Sequence, residues 1–119
     1  GTKHFNVTEP LEVSEVGTGF MLIKREVFEK FQESHPEYMY KPDHVGQAHF
    51  GGDREICSFF NVFIDPDSKR TLSEDYCFCH QVRKLEMKIW LCPWFTLSHI
   101  GSNIFQGSLP AVAQYLGEM

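Results

Sequence analysis

Every apolar segment of this 119-residue chain is short, and this property constrains its fold more than any other. Alternating or clustered apolar residues predict strands, whereas apolar residues three or four positions apart predict amphipathic helices. The two types of segment alternate along the chain, so the sequence predicts an α/β fold with a small mixed sheet and flanking helices. The predicted strands cover residues 11–16, 20–23, 56–64, 71–72, 88–91 and 95–100, and the predicted helices cover residues 24–32, 73–85 and part of 107–119.

Length and composition are typical of one domain with a packed core. A chain of 119 residues has the size of a single ordinary domain, and we expect residues 1–119 to form one. Its hydrophobic fraction of 42% includes 11 phenylalanines, which bury large areas. The net charge of −5 argues against a nucleic-acid partner, since such proteins usually carry a basic surface. No apolar run reaches the roughly 18 residues of a membrane span, so none is expected.

The cysteines and the first residues of the sequence favour the cytoplasm. Cys57, Cys77, Cys79 and Cys92 are too few and too irregularly spaced to predict a disulfide framework. The sequence also does not open with the basic segment and apolar core of a signal peptide. We therefore expect a cytoplasmic protein with free thiols.

Cys77, Cys79 and Cys92, together with His80 and His99, could suggest zinc. Cys77 and Cys79, however, form a Cys-x-Cys pair inside a predicted helix, which directs the two side chains differently. Zinc sites usually use Cys-x₂-Cys spacing instead. We expect the cysteines to be small buried hydrophobic residues.

Three segments in fixed order carry a resemblance to a known family. Residues 17–28 (GTGFMLIKREVF) resemble the family's GxGFLIRREVF segment, and residues 73–85 resemble its acidic ED motif and the helix that follows. Residues 88–93 and 98–101 resemble its next strand and closing histidine. Together the segments resemble the acceptor-side, C-terminal part of family 2-like glycosyltransferases over roughly residues 13–108. The resemblance implies a partial GT-A fold and transfer of a sugar from a nucleotide sugar to a hydroxyl of a glycan or other acceptor.

The acidic motif is the main candidate for catalysis. Sugar transfer with inversion needs a base that removes the proton of the acceptor hydroxyl. The resemblance implies that Asp75 is this base and that Glu74 orients the acceptor or the base. Both residues follow Ser73, a favourable helix N-cap. The alternative is that the two acids only complement the helix dipole, each contributing about 0.3–1 kcal/mol.

The resemblance also implies substrate-binding residues. Gly17, Thr18 and Gly19 would let the backbone approach the donor sugar or its diphosphate closely. The alternative is a bulge between two strand pieces. Trp90 and Trp94 could each stack on a sugar ring or lie in the core; we expect Trp90 in the core, and both interpretations stay open for Trp94.

His99 is the candidate metal ligand. By resemblance it would help to hold the Mn²⁺ or Mg²⁺ ion that neutralises the diphosphate leaving group. One histidine cannot form such a site alone, so aspartates from elsewhere would have to complete it. The alternative is a partly buried, hydrogen-bonded strand histidine. Residues 65–67 spell Asp-x-Asp, but the family's metal motif precedes the glycine segment, so we interpret them as a hairpin turn.

The sequence departs from the family pattern in two ways. Glu86 stands where the family has a glycine that ends the helix. The nucleotide-binding half with its Asp-x-Asp motif does not precede residue 17. We therefore expect no sugar transfer by this chain alone, and pairing with a second copy or with the missing N-terminal half. The competing class is a non-catalytic oligomerising or carbohydrate-binding module.

Overall fold

The computed structural model describes residues 4–42 and 54–112, which fall into two compact units. The larger unit is Ser14–Ile89, and the smaller unit combines Gly1–Val13 with Trp90–Met119. Helices and strands alternate along the chain, so the predicted α/β class is confirmed. The elements are β1 (Leu11–Val13), α1 (Arg25–Ser34), β2 (Met39–Tyr40), β3 (Ile56–Cys57), β4 (Phe63–Ile64), β5 (Thr71–Leu72), α2 (Glu74–Lys84), β6 (Ile89–Leu91), β7 (Thr96–Ile100) and β8 (Ile104–Ser108), with 3₁₀ turns at Thr18–Phe20 and Pro36–Tyr38.

Both predicted central helices form. Helix α1 directs Val27, Phe28 and Phe31 towards the core, and it ends before the His35-Pro36 pair. Helix α2 carries Glu74 and Asp75 in its first turn and basic residues in its last, which suits the helix dipole at both ends.

A positive backbone angle ends α2 where the sequence lacks glycine. Glu86 has a φ of 61°, the left-handed conformation that glycine adopts most easily. Its amide donates to the carbonyl of Arg83 at 3.0 Å, and the Lys30 ammonium donates to the carbonyl of Leu85, also at 3.0 Å. The helix therefore ends in a left-handed residue that carries a side chain, and this conformation strains the backbone.

Among the described residues, the strands pair two by two instead of forming one sheet. Strand β1 pairs with β6, β2 with β3, β4 with β5, and β7 with β8. The last three pairs are antiparallel, with Met39 opposite Cys57, Phe63 opposite Leu72, and His99 opposite Phe105. These pairs replace the small mixed sheet that the sequence predicted.

The predicted strand 56–64 is divided by a local turn. The Ser58 hydroxyl donates to Asn61 Oδ1 at 2.7 Å, and Asn61 Nδ2 donates to the Ser58 carbonyl. Such side-chain bonds offer the backbone an alternative to a strand ladder. Only the two ends of the segment therefore pair as strands.

The core of the larger unit is aromatic. Phe31 is fully buried, and its ring centroid lies 5.7 Å from that of Phe78 and 5.4 Å from that of Phe59. Cys57 and Val82 complete the buried cluster. These rings join α1, α2 and the segment after β3 into one packed body.

Two expectations about apolar residues are wrong. Residues 20–23 form no buried strand: Met21 and Ile23 pack against the core, whereas Phe20 and Leu22 are exposed. Trp90 is not a core residue, because about half of its surface is exposed. Side chains along residues 20–23 alternate between packing on the core and exposure to solvent. The apolar run there therefore does not correspond to a buried strand.

The turn between β4 and β5 is confirmed. The Asp65 amide donates to the Arg70 carbonyl at 2.9 Å, and the Lys69 amide donates back to the Asp65 carbonyl at 2.9 Å. The Asp65 carboxylate accepts bonds from the amides of Asp67 and Ser68 and from the Ser68 hydroxyl. The carboxylate is thus engaged in the turn, as the hairpin interpretation predicted.

The smaller unit carries the β7–β8 hairpin, and a helical turn begins at Leu109. The strand predicted near residues 95–100 is confirmed by β7. Most of the predicted terminal helix lies outside the described residues. Within the described ranges, no helix has both the length and the apolar character needed to cross a membrane.

Candidate functional site

Asp75 lies in the first turn of α2, and one of its oxygens is fixed by two donors. The Ser73 hydroxyl and the Tyr76 backbone amide both donate to Asp75 Oδ1, the amide at 2.9 Å. The side chain is half-buried, so it is neither hidden in the core nor free in solvent. Two donors on one oxygen restrict rotation of the carboxylate, and a fixed carboxylate can direct its second oxygen at a ligand.

The second oxygen faces the glycine segment. If Gly17 carried a Cβ atom, the nearest atom to it would be Asp75 Oδ2, at 3.6 Å. Gly19 has open space where its Cβ would be. Gly17 is extended, with φ −78° and ψ 154°, so its conformation does not itself require glycine. Gly17 therefore matters here for the space that it leaves beside the carboxylate.

Two further contacts hold the segment before the glycines in place within the larger unit. Glu15 pairs with Arg70 at 2.8 Å, and the Val16 carbonyl accepts a bond from Cys79 Sγ at 3.7 Å. Residues 15–18 thus run past the first turns of α2. Since residues 18–20 form a 3₁₀ turn and residues 14–24 hold no strand, the bulge interpretation of the glycines is wrong.

The hydrogen bonds favour the charged form of Asp75. The Ser73 hydroxyl lowers the pKa of this carboxyl most; partial burial raises it, and backbone amides, including that of Thr18, lower it further. The net effect is a pKa below the ordinary value. The carboxylate is therefore ionised at neutral pH and able to accept a proton or a hydroxyl hydrogen bond.

Glu74 differs from its neighbour. It is exposed at the N-terminus of α2, whereas Asp75 is half-buried against the glycine segment. The structure thus separates the two acids of the motif into one fixed and one exposed carboxylate. Of the predicted residues, it brings together Asp75, Gly17 and Thr18.

His99 and Trp94 belong to the smaller unit. His99 lies on β7, exposed, with its ring centroid 6.5 Å from that of Phe105 on β8. This exposure rules out the partly buried alternative. Trp94 is 40% exposed and packs against Phe95, with 5.7 Å between ring centroids. Grouping of either residue with Asp75 stays a prediction.

The cysteines behave as small hydrophobic residues. Cys57, Cys77 and Cys79 are buried free thiols, and burial raises the pKa of each. A raised pKa keeps the thiol protonated and chemically quiet. In residues 4–42 and 54–112, no three His, Cys, Asp or Glu side chains are grouped closely enough to hold a metal ion.

Sequence reasoning missed the contacts that hold the site in place. It took Ser73 as a helix cap, but the Ser73 side chain makes no capping bond and instead donates to Asp75. The Ser-x-Asp spacing was the available signal. The Arg70–Glu15 pair joins residues 55 positions apart, and nothing in the local sequence predicts it.

Comparison with known proteins adds no relative: no family model, curated protein or solved structure matches this chain.

Proposed function

We propose that the chain is the acceptor-side part of a GT-A-fold, nucleotide-sugar-dependent glycosyltransferase in which Asp75 is the general base. The observation that supports this most is the Asp75 carboxylate itself. It is half-buried at a helix N-terminus, held through Oδ1, and has Oδ2 beside a glycine. A hydroxyl group that reaches Oδ2 would meet a fixed, ionised acceptor for its proton.

The lowered pKa of Asp75 has opposite consequences for this role. It ensures ionisation at neutral pH, but a base works best when its pKa lies near the working pH. An acceptor that covers the site would remove water from the carboxylate, and desolvation raises the pKa of a carboxyl group. The proposal therefore has Asp75 gain basicity when the acceptor binds.

The remaining residues have narrower roles in the proposal. Gly17, Thr18 and Gly19 leave room for donor or acceptor, and Glu74 orients the acceptor from its exposed position. His99 would contribute to a Mn²⁺ or Mg²⁺ site whose carboxylates come from a nucleotide-binding half. Transfer needs that half, so the 119-residue chain alone should give no turnover, and it should associate with that half or with a second copy.

The test is Asp75→Asn in a protein that joins this chain to its nucleotide-binding half. Asparagine keeps size and shape but cannot take the proton, so kcat should fall about 10²–10⁴-fold. Binding of the nucleotide sugar should not change. Glu74→Gln is the matched control, and its loss should be smaller because Glu74 is exposed and does not take the proton.

The alternative explanation of the two acids predicts a different result. If Asp75 only complements the helix dipole, Asp75→Asn should reduce stability by about 0.3–1 kcal/mol and leave turnover nearly unchanged. The rate of sugar transfer, measured together with donor binding by calorimetry, distinguishes the catalytic explanation from the helix-dipole explanation. Unchanged kcat in a folded variant would end the catalytic assignment.

A second candidate function is a carbohydrate-binding module, favoured by Trp90. This half-exposed side chain lines a shallow depression of about 430 Å³ with Glu9, Pro10 and Cys92. Aromatic faces beside polar groups suit sugar rings. Glycan binding that persists in Asp75→Asn and is lost in Trp90→Ala would favour this candidate over transfer.

A further inference from the structure

Ser73 occupies the N-cap position of α2, but its side chain does not cap the helix. Ser73 has the extended backbone of an N-cap residue, with φ −65° and ψ 169°. An N-cap serine normally accepts a bond from an amide in the first turn of the helix. Here the side chain makes no such bond, and its hydroxyl donates instead to Asp75 Oδ1. The hydroxyl therefore serves the carboxylate rather than the helix.

This bond matters because the terminal torsion of an aspartate is soft. The carboxylate can rotate about its last bond over a broad range unless donors hold it. Ser73 and the Tyr76 amide together hold Oδ1, and this leaves Oδ2 on the side of Gly17. Without the hydroxyl, Oδ1 would keep only the bond from the Tyr76 amide.

Few other charges act on this carboxylate. Among the described residues, none of the salt bridges includes Asp75. Arg70 is engaged by Glu15, and Glu74 extends into solvent. The neighbouring Cys79 thiol has its pKa raised mainly by burial and also by the charges of Asp75 and Glu15, so it stays neutral. Orientation of Asp75 therefore depends on neutral donors.

We propose that Ser73 is the positioning residue of this site, and that its hydroxyl keeps Asp75 Oδ2 directed at the space beside Gly17. The inference deepens the proposed function and rests on it for its catalytic meaning. The contact itself can be tested in the 119-residue chain without any activity. Its supporting observations are the diverted N-cap hydroxyl and the glycine beside Oδ2.

The experiment follows the Asp75 carboxyl carbon by NMR through an acid titration. The signal is assigned by its absence in Asp75→Asn. Ser73→Ala and Ser73→Gly both remove the hydroxyl, and glycine is also an acceptable N-cap, so the helix start is kept in the second variant. Removing a donor to the charged form raises the pKa, so the Asp75 midpoint should move upward in both variants. Ser73→Thr keeps a hydroxyl and should restore it.

An unchanged midpoint in Ser73→Ala and Ser73→Gly would overturn the proposal, as would a midpoint that Ser73→Thr fails to restore. In the joined protein, Ser73→Gly should lower kcat roughly 10- to 100-fold with little change in KM, because misplaced groups react slowly. The acid side of its pH profile should move to higher pH. If the joined protein transfers no sugar even with Ser73 present, the proposed function fails while the titration still decides the positioning role.

Discussion

The packed helices of the larger unit and the β7–β8 hairpin of the smaller unit bury their large apolar residues to different extents. In the larger unit, Phe31, Phe78 and Val82 are at most 4% exposed and pack against one another. In the β7–β8 hairpin of the smaller unit, Leu97 and Phe105 are about half to two-thirds exposed. Large apolar residues occur in both regions, so their presence alone does not determine which residues form a core.

The difference lies in what each element can pack against. Helices α1 and α2 meet through side chains three and four residues apart, and together they enclose the Phe31 ring. In β7 and β8, two strands of five residues each, every residue except Ser108 is exposed. Isolated two-stranded hairpins are marginally stable in water. The free energy of folding should therefore reside mainly in the larger unit.

The largest effect should come from removing the central ring. Phe31→Ala leaves a cavity among packed aromatic residues and should reduce the free energy of unfolding by about 3–5 kcal/mol. Phe105→Ala is the matched control: the same atoms are deleted from a side chain that is 64% exposed. Its effect should stay within about 0.5 kcal/mol. Urea denaturation followed by fluorescence measures both.

Similar losses of unfolding free energy in Phe31→Ala and Phe105→Ala would contradict the proposed difference between the two units. That result would mean that Phe105 is covered in solution. If Phe31→Ala abolishes folding altogether, Phe31→Leu provides the smaller deletion, and its loss should still exceed that of Phe105→Leu.

The β4–β5 hairpin of the larger unit and the β7–β8 hairpin of the smaller unit also differ in their turns. Of the two, only the β4–β5 turn contains a buried carboxylate, that of Asp65. In the larger unit, bonds from Ser68 and the amide of Asp67 outweigh burial and lower the pKa of Asp65. A lowered folded-state pKa contributes stability that is present above the ordinary aspartate pKa of about 3.9 and is lost as pH falls below it. Asp65→Asn should therefore destabilise the chain at pH 7 and weaken the pH dependence of its stability.

Thermal unfolding between pH 7 and pH 3 tests this expectation. The effect should be smaller than that of Phe31→Ala, since no cavity forms. Asp67→Asn is the control in the same turn, because its side chain is exposed, and its curve should follow that of the original chain. If stability falls with pH identically in Asp65→Asn and in the original chain, Asp65 does not contribute to the pH dependence.

Sequence patterns predicted the local parts of the fold well. Helices α1 and α2, the end of α1 and the Asp65 turn all follow from spacing, proline and turn residues. The pairing of strands did not follow, because it depends on long-range partners such as Met39 and Cys57. The division of residues 56–64 was missed because the Ser58–Asn61 bonds compete with the ladder inside an apolar run.

The site was predictable in part. The acidic motif and the glycine segment were identified by resemblance, and the structure brings Asp75 and Gly17 together. The donors to Asp75 were not identified, because a serine before a helix predicts a cap as readily as a partner for a side chain. Whether His99 and Trp94 join this site remains a prediction.

The smallest expected effect concerns the end of α2 in the larger unit. Glu86 holds a left-handed φ of 61°, which costs a residue with a side chain roughly 1–2 kcal/mol relative to glycine. Glycine loses about 0.5–1 kcal/mol of that advantage to backbone entropy, so Glu86→Gly should stabilise the chain by about 0.5–1 kcal/mol. The substitution also removes a negative charge near a helix C-terminus, where it is unfavourable. Glu86→Ala separates the two causes: it removes the charge but keeps the strain, so it should gain less than glycine in urea denaturation. Equal gains from alanine and glycine would show that charge, and not backbone conformation, limits stability at this helix end.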